Sequence, residues 1–489
     1  MTLLARTGQV VEQAIVVYRA TGEEARLRAV RRRLDEPLRV AVAGRVKSGK
    51  STLLNALIGE RLAPTDAGEC TTVVTWYADG HTYRVDLTLR DGSSRQARYT
   101  RTDDALDVEL TGLAPQDLER ISVTWPSQAL RRATLIDTPG IGSLSEQIAR
   151  RAWELLAPED QETPADAVLY LMKHLHSGDL EFLSAFHDTE VARPNPVNAI
   201  GVLSRADEIA TGRPDAMTSA RRIAQRMAVD PQVRRVAQTV VPVAGLLAQT
   251  ATTLTEHEGK LLRIITQQPA RVVEALMLSA DRFVDSTPEL GLTSIERQLL
   301  LDRFGLFGIR LATNLLRLTP GLTTSDLARQ LTAASGLDEL QQVLGTLFFQ
   351  RSEVLKSRSA LLAVDALLRH RPAAGSAALA GEIEQILAGA HPFNELRVLS
   401  SLRAGWVTGK AGVVADLERL IGGAGHAVST RLGLPEDAGP AERLDAAARQ
   451  LAAWQRRAES PMSSRELVVA ARVAVRSCEG IIADLGRTT

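Results

Sequence analysis

The chain has little cysteine and no excess of charge of either sign. Cys70 and Cys478 are the only thiols among 489 residues, and 58 Lys and Arg balance 58 Asp and Glu. Two distant thiols exclude a disulfide scaffold and a cysteine-based metal site, so both are expected to be reduced in the cytosol. A balanced chain has no overall field to draw it to nucleic acid or to an anionic membrane. We therefore expect no nucleic-acid partner, and any contact with lipid must be local.

Long hydrophobic runs are also missing. The longest uncharged run, from Val236 to Thr255, is interrupted by Pro242 and by threonines and glutamines. It therefore lacks the roughly 20 apolar residues of a membrane-spanning helix, and we expect no transmembrane segment. The N-terminus also lacks the apolar core and cleavage site of a signal peptide.

What is present is the composition of an ordinary globular protein, with 45% hydrophobic and 24% charged residues. Single hydrophobic cores stop growing at about 250 to 300 residues, so a chain of this length is expected to form two domains.

Strand signals are confined to the first half of the chain. Leu38 to Ala43 is an apolar run between one helical pattern, from Val10 to Leu34, and a second that starts at Lys50. Alternating apolar residues on both sides of Asp79-Gly80 predict an antiparallel hairpin. Later apolar runs predict strands at 121–125, 133–136, 167–172, 197–203 and 240–243. This alternation of strands and helices predicts an α/β domain with a mixed, mainly parallel sheet and helices on both faces.

Helical patterns replace the strand signals after about residue 248. They cover roughly 252–284, 294–317, 338–369, 377–387, 413–421, 441–456 and 465–485. Such a series predicts an all-α helical bundle. We therefore expect an N-terminal helix over 1–35, the α/β domain over 36–248 and the bundle over 249–489.

The strand that starts at Leu38 leads into a phosphate-binding loop. Gly44-Arg45-Val46-Lys47-Ser48-Gly49-Lys50-Ser51 matches the pattern GxxxxGK(S/T). In that pattern glycines let backbone N–H groups cradle phosphates, the lysine neutralises them, and the hydroxyl binds Mg²⁺. We therefore predict a nucleotide site that includes these eight residues and Thr52. Lys50 is predicted to act in catalysis and Ser51 to bind Mg²⁺.

A second motif that can contact the phosphates, Asp137-Thr138-Pro139-Gly140, follows the predicted strand 133–136. A carboxylate at the end of such a strand can hold Mg²⁺ through water, and Gly140 can present its N–H to a γ-phosphate. A turn with a capping aspartate is the alternative interpretation. The P-loop upstream favours Asp137 as a metal residue and Gly140 as a nucleotide contact.

Ser204-Arg205-Ala206-Asp207 ends the strand 197–203, where GTPases carry an (N/T)KxD-type motif. Asp207 would accept hydrogen bonds from guanine N1–H and the exocyclic amine, and Arg205 would stack on the base as a lysine stem does. A helix N-cap is the alternative interpretation. Ala244, after the last strand, is predicted to offer a backbone N–H to guanine O6.

Two predictions concern the transition state. Thr71 is the first choice, and Thr72 the second, for a switch threonine that closes onto Mg²⁺ and the γ-phosphate, although threonines also open strands. No glutamine follows the DTPG segment. Lys47 is therefore predicted to place a positive charge near the β,γ-bridging oxygen. A solvated lysine on an exposed loop is the alternative.

Together the segments GRVKSGKSTLLNALIG, ECTTVVTW, LIDTPG and LSRADE resemble those of bacterial dynamin-like GTPases. The stretches LDRFGLFGIR and LERLIGGAG extend the resemblance through the helical half. The resemblance implies a GTPase head and an elongated helical neck and trunk that the N-terminal helix joins. It also implies GTP hydrolysis with Mg²⁺, and membrane remodelling at the inner face of the plasma membrane under cell-envelope stress.

The resemblance also implies partners. A head-to-head dimer forms on GTP in such proteins, and the segment His176-Ser177-Gly178-Asp179 occupies the place of a dimer-contact loop, so Asp179 is a candidate contact. His174 and His176 have no metal-ligand spacing. A sister dynamin-like protein is the other expected protein partner. Peripheral lipid contact is expected at a tip of the helical trunk. Phe304 to Gly308 is expected to be core, whereas Leu420 to Gly425 is either tip or cap.

Two other functions remain open on the sequence. An Era-like regulatory or ribosome-associated GTPase shares the P-loop segment, but it needs a compact basic RNA-binding module, and the helical half is long and balanced in charge. A weakly active GTP-binding scaffold for a sister dynamin-like protein is the other alternative, since the glutamine is missing and the SRAD motif is degenerate.

Overall fold

The computed structural model describes residues 2–65, 73–102, 105–110, 112–140, 165–173, 179–180, 198–213, 215–285, 291–403 and 405–488. Its strands, numbered in chain order, are β1 (Leu38–Gly44), β2 (Val74–Ala78), β3 (Arg84–Leu89), β4 (Ser94–Ala97), β5 (Tyr99–Arg101), β6 (Leu106–Val108), β7 (Leu118–Thr124), β8 (Ala133–Asp137), β9 (Ala167–Met172), β10 (Ala199–Ser204) and β11 (Val240–Val243).

Helices flank these strands and fill the second half of the chain. They are α1 (Leu3–Val17), α2 (Glu24–Asp35), α3 (Lys50–Ile58), α4 (Gln128–Arg132), α5 (Ala216–Val229), α6 (Pro231–Val236), α7 (Gly245–Thr252), α8 (Glu256–Thr266), α9 (Ala270–Leu276), α10 (Ala280–Asp285), α11 (Ser294–Leu318), α12 (Thr324–Ser335), α13 (Leu337–Leu347), α14 (Ser352–His370), α15 (Ser376–Gly389), α16 (His391–Arg403), α17 (Ala411–Leu420), α18 (Val428–Leu432), α19 (Pro440–Glu459) and α20 (Arg465–Thr488).

Nine strands form one sheet in the order β11-β10-β9-β1-β8-β2-β7-β3-β4. The block from β11 to β8 is parallel, and β9 and β10 are buried along their whole length. Antiparallel pairing begins where β8 meets β2. Alternate residues of β1 enter different apolar clusters, Val40 with α3 and Ala41 with Tyr170, as expected for a sheet with two covered faces. The predicted mixed, mainly parallel sheet and the helix-rich second half are confirmed.

The predicted hairpin around Asp79-Gly80 is wrong. Strand β2 pairs with β7 and β8, while β3 pairs with β7 and β4, so β7 lies between the two strands that the pattern would have joined. A hairpin forms instead between β3 and β4, where Gly92 turns the chain with a φ of 83°. Alternation and a turn signal mark strands well, but they do not exclude a later strand from inserting between them.

The N-terminal segment forms two helices where the pattern predicts one. The chain reverses between α1 and α2 at Ala20, whose φ is 60°. Helix α1 packs against α14 and α15, and the hydroxyl of Tyr18 donates to the carbonyl of Arg371 at 2.5 Å. The Lys356 ammonium donates to the carbonyl of Leu34 at 2.8 Å. The start of the chain is therefore tied to helices more than 300 residues later.

The second half divides more finely than its patterns predict. Three helices, α8 to α10, replace the pattern 252–284, and α13 and α14 replace the pattern 338–369. Helix α7 runs through the expected boundary at 248 and packs against α3 and α11. Phe304 and Phe307 are core residues, as expected. Helices α19 and α20 form a long antiparallel pair.

The segment Leu420 to Gly425 caps a helix. Leu420 and Ile421 are buried, and the N–H of Gly423 donates to the carbonyl of Glu418 at 2.7 Å, which ends α17. The segment therefore has the geometry of a helix cap, and whether it also contacts a membrane stays a prediction. Within the described residues, no helix is both long and apolar enough to cross a membrane.

Candidate nucleotide site

The carboxyl ends of the parallel strands β1, β8, β10 and β11 meet at one edge of the sheet. The phosphate loop leaves β1 there and enters α3, and two of its glycines adopt positive φ values, 146° at Gly44 and 92° at Gly49. A Cβ on Gly44 would lie 2.5 Å from the carbonyl oxygen of Leu171, so only glycine fits. The loop therefore presents the N-terminus of α3 at the edge where α/β proteins bind phosphates.

Lys47 and Lys50 have different surroundings within this loop. Lys50 is buried, and its Nζ donates to the carbonyls of Gly44 at 3.4 Å and Arg45 at 3.2 Å. Its ammonium is thus held inside the phosphate loop. Lys47 is exposed and has a φ of 60°, which non-glycine residues rarely adopt. Its side chain is therefore accessible, and its backbone is held in a strained conformation by the loop.

Ser51 and Asp137 lie together, as their predicted roles require. The Ser51 hydroxyl donates to Oδ2 of Asp137 at 3.0 Å, and Asp137 is 1% exposed at the end of β8. A hydroxyl beside a buried carboxylate is an all-oxygen donor pair of the kind Mg²⁺ prefers, completed by water and phosphate oxygens. The residues present therefore fit the ion that the sequence predicts.

The DTPG segment packs directly on the phosphate loop. The hydroxyl of Thr138 donates to the carbonyl of Val42 at 3.0 Å, which fixes the segment to β1. A Cβ on Gly140 would lie 2.6 Å from Cγ2 and 3.0 Å from N of Val46. Gly140 therefore lies where a side chain would displace the phosphate loop.

A cavity of about 190 Å³ extends from the phosphate loop along the sheet edge. The SRAD segment, the phosphate loop and the start of α7 all contribute to its wall. The predicted nucleotide residues that line it are Ser48, Gly49, Thr52, Ser204, Arg205 and Asp207. Segments up to 200 residues apart thus converge on one cavity.

The SRAD segment combines a largely buried carboxyl with a guanidinium that is held by an ion pair. Burial raises the pKa of the Asp207 carboxyl, and the charge of Glu208 raises it further. Arg205 has a φ of 52° and its guanidinium bonds Glu208 at 2.6 Å. Glu208 also lies 3.5 Å from the ammonium of Lys173, at the end of β9. Sequence reasoning missed both partners: Glu208 pairs with Arg205 directly, and Lys173, from the end of β9, pairs with Glu208.

The prediction for Ala244 is wrong in this structure. Its N–H donates to the carbonyl of Ser335 at 2.9 Å, and Ala244 is fully buried outside the cavity wall. Gly245 and Leu246, the first residues of α7, line the cavity in its place. Since the first N–H groups of a helix have no partner within it, these two residues offer backbone donors at the cavity wall.

Asp179 is also placed differently from its prediction as a dimer contact. It is 1% exposed, and its Oδ1 accepts from Nε of Arg45 at 3.0 Å and from the Tyr170 hydroxyl at 2.7 Å. Burial and the hydrogen bond to Asp179 raise the pKa of Tyr170. The carboxylate therefore balances Arg45 of the phosphate loop within one chain, and its side chain is not available to a partner.

Several predicted positions lie outside the described residues. These are the switch candidates Thr71 and Thr72, the thiol of Cys70, and the loop residues His174 and His176. Among the residues that are described, no cluster of His, Cys, Asp and Glu forms a further metal site.

Comparison with known proteins places this site in context. The Dynamin family model matches residues 40–205. The isoniazid-induced protein IniC of Mycobacterium tuberculosis is 39% identical over 470 residues, which cover 96% of this chain and 94% of IniC. IniA of the same organism, also named as isoniazid-induced, is 30% identical over 242 residues, 48% of this chain and 35% of IniA.

A solved structure of an oligomerised bacterial dynamin pair, described as sensing and tethering membranes, aligns with 98% of this chain and 91% of its own. The identity is 13% and the TM-score 0.35.

Proposed function

Because the chain belongs to the dynamin family, as a bacterial dynamin-like protein close to IniC, we propose that it binds GTP in the cavity and hydrolyses it to GDP and phosphate. The observation that carries the proposal is the convergence of the phosphate loop, the SRAD segment and the start of α7 on that cavity. Family membership argues against the Era-like alternative, and so does the balanced charge of the chain, because an RNA-binding module is usually basic.

Each side chain has a role in the proposed reaction. Lys50 would neutralise the β- and γ-phosphates, and its present bonds to loop carbonyls are ones that phosphate oxygens can replace. Ser51 and Asp137 would hold Mg²⁺, directly and through water, and the ion would neutralise charge on the phosphates. Asp207 would accept from guanine, with Arg205 stacked on the ring and Gly245 or Leu246 donating to O6.

Lys47 is the proposed source of positive charge in the transition state. Backbone strain is often kept at functional sites, where the surrounding structure maintains it. The φ of 60° at Lys47, together with its exposed side chain, supports a position from which the ammonium reaches the bridging oxygen. Thr71, or else Thr72, is proposed to close onto the ion and the γ-phosphate.

We further propose that the GTP cycle drives remodelling or repair of the plasma membrane from its cytoplasmic face, under cell-envelope stress. The support is the family and the two relatives that are named as isoniazid-induced. A second copy of this chain or a sister dynamin-like protein is the proposed partner, and lipid contact is proposed to be peripheral. The helices of 249–489, joined by α1 and α2, would be the lever.

The first experiment compares steady-state hydrolysis of GTP and ATP by the purified full chain, with and without liposomes of anionic phospholipid. Lys50→Ala is the blank, Lys47→Ala the test, and Arg84→Ala, with an exposed side chain on β3, the matched control. We expect turnover selective for GTP, increased by liposomes, lost in Lys50→Ala and at least tenfold lower in Lys47→Ala. GTP binding without turnover in every condition would instead favour the scaffold function.

A further inference from the structure

The corner between α12 and α13 lies against the last strand of the sheet. Gly336 turns this corner with a φ of 83°, and a Cβ on it would lie 2.2 Å from the carbonyl oxygen of Pro242 in β11. Only glycine combines that backbone conformation with so close an approach. The chain at residue 336 is therefore in direct backbone contact with the strand that leads to the nucleotide site.

The same corner makes a hydrogen bond to the segment after the strand. The carbonyl of Ser335 accepts from the N–H of Ala244 at 2.9 Å. Ser335 is fully buried, and its hydroxyl donates to the carbonyl of Thr332 at 2.6 Å and accepts from the N–H of Leu337 at 3.2 Å. These bonds hold the Ser335 carbonyl in one orientation, so it acts as a fixed anchor for Ala244.

Ala244 immediately precedes α7, and Val243, Gly245 and Leu246 on either side of it line the cavity. The first N–H groups of α7 carry the positive end of the helix dipole, which suits a carbonyl oxygen such as guanine O6. A displacement of Ala244 would move these donors with it. Residues 335 and 336, some 90 residues later in the chain, therefore help to fix the position of the helix start at the cavity.

We propose that the Ser335-Gly336 corner is a positioning element of the base pocket, which couples guanine binding to the packing of α12 and α13 on the sheet. This inference rests on the proposed function, because it assumes a guanine base in the cavity. It predicts that a disturbed corner weakens recognition of the base and leaves recognition of the phosphates intact. By linkage, a bound guanine nucleotide stabilises the corner by the same factor.

Gly336→Ala is the direct test, and the chain offers two matched controls. Gly321 has a φ of 94° with nothing within 4 Å of its Cβ position, so Gly321→Ala brings comparable backbone strain without the clash. Gly345 lies within α13 with open space around it, so Gly345→Ala adds a methyl group alone. Circular dichroism and thermal unfolding would establish that each variant is folded.

The readout is the affinity for GDP, measured by titration calorimetry, beside that for pyrophosphate. We expect GDP to bind Gly336→Ala about tenfold more weakly than wild type, with KM for GTP raised more than kcat is lowered. Pyrophosphate affinity should stay within about twofold, and both controls should match wild type. Wild-type GDP affinity in folded Gly336→Ala would overturn the inference, as would an equal loss for GDP and pyrophosphate.

Hydrogen exchange on the wild type keeps the inference testable if Gly336→Ala fails to fold. The N–H of Leu340 donates to the carbonyl of Gly336 at 3.0 Å and reports on the corner. Saturating GDP should slow exchange at residues 337–340 severalfold relative to saturating pyrophosphate, and equal rates would contradict the coupling. If the wild type binds no guanine nucleotide, the proposed function fails and this inference falls with it, whereas normal GDP binding with no response at the corner overturns the inference alone.

Discussion

At the scale of single residues, burial sets the chemistry of the proposed base site. The Asp207 carboxyl is largely buried, and burial raises its pKa more than any neighbouring charge does. A backbone hydrogen bond and the charges of Arg205 and Lys173 offset part of the effect of burial, but the net shift is upward. Without a bound base the ionised form is therefore destabilising at pH values above the raised pKa, and this cost disappears as pH falls through it. Guanine N1–H and its amine would supply two further donors.

We predict that GTP affinity falls as the pH is lowered through the raised pKa of Asp207, which lies above the ordinary aspartate value of about 3.9. The reason is that protonated Asp207 cannot accept both hydrogen bonds from guanine. Asp207→Asn should lose this pH dependence. Asparagine presents one acceptor and one donor, which match N1–H and the C2 carbonyl of xanthine. GTP affinity should fall at least tenfold while that for xanthosine triphosphate rises. Competition binding between pH 5 and 8 checks both effects, and unchanged preference for GTP would remove Asp207 from base recognition.

At the scale of elements, glycines allow close contacts that other residues would prevent. Helix α11 contains Gly305 with φ 59° and ψ 172°, which breaks its helical geometry between the buried Phe304 and Phe307. A Cβ on Gly305 would meet only Cδ2 of Leu246, at 3.6 Å. There is room for a methyl group, so the requirement for glycine is conformational.

Gly305→Ala is therefore predicted to cost about 1 to 3 kcal/mol of unfolding free energy, the usual penalty for a non-glycine residue in this backbone region. Gly345→Ala, in open space within α13, should be neutral or slightly stabilising because alanine favours helix. Urea denaturation of both variants provides the comparison. A Gly305→Ala variant as stable as wild type would mean that α11 relaxes to a regular helix without loss of packing.

At the scale of the whole molecule, buried polar contacts join the sheet to the helices. Arg33 of α2 and Asp166, at the start of β9, form an ion pair at 2.6 Å with side chains 2% and 0% exposed. The second oxygen of Asp166 accepts from the N–H of Arg39 in β1. On another side, Arg403 of α16 donates to Gln238, which precedes β11. Relative movement of the helices and the sheet must break such contacts.

We predict that Arg33→Met destabilises the protein by about 3 to 5 kcal/mol, because it leaves the Asp166 carboxylate buried without its cation. The double variant Arg33→Met with Asp166→Asn should recover part of that loss, since asparagine keeps an acceptor for Arg39 without the charge. Arg84→Met, which breaks an exposed pair with Asp86, should change stability by less than about 1 kcal/mol. Thermal unfolding of the four proteins tests this, and no recovery in the double variant would contradict a charge-based cost.

The contiguous parts of the site could be read from the sequence because local chemistry decides them. The loop from Gly44 to Ser51 depends on glycines within the motif and on the start of α3. The apolar run before Asp137 predicts the strand at whose end this residue lies. The structure brings Ser51 and Asp137 to 3.0 Å, as parallel strands that share one edge require. Arg205 and Asp207 follow the end of β10, so the same rule places them at this edge, beside the cavity.

Tertiary structure alone decided what depends on distant partners. Strand β7 separates β2 from β3, Ser335 takes the N–H of Ala244, and Tyr170 with Arg45 encloses Asp179. Each outcome depends on a strand pairing or on a side-chain or backbone contact that no local pattern specifies; Arg45, for example, lies 134 residues from Asp179 in the sequence. Sequence patterns report the preferences of neighbouring residues, whereas burial and hydrogen-bond competition across the fold determine which groups are left to meet a ligand.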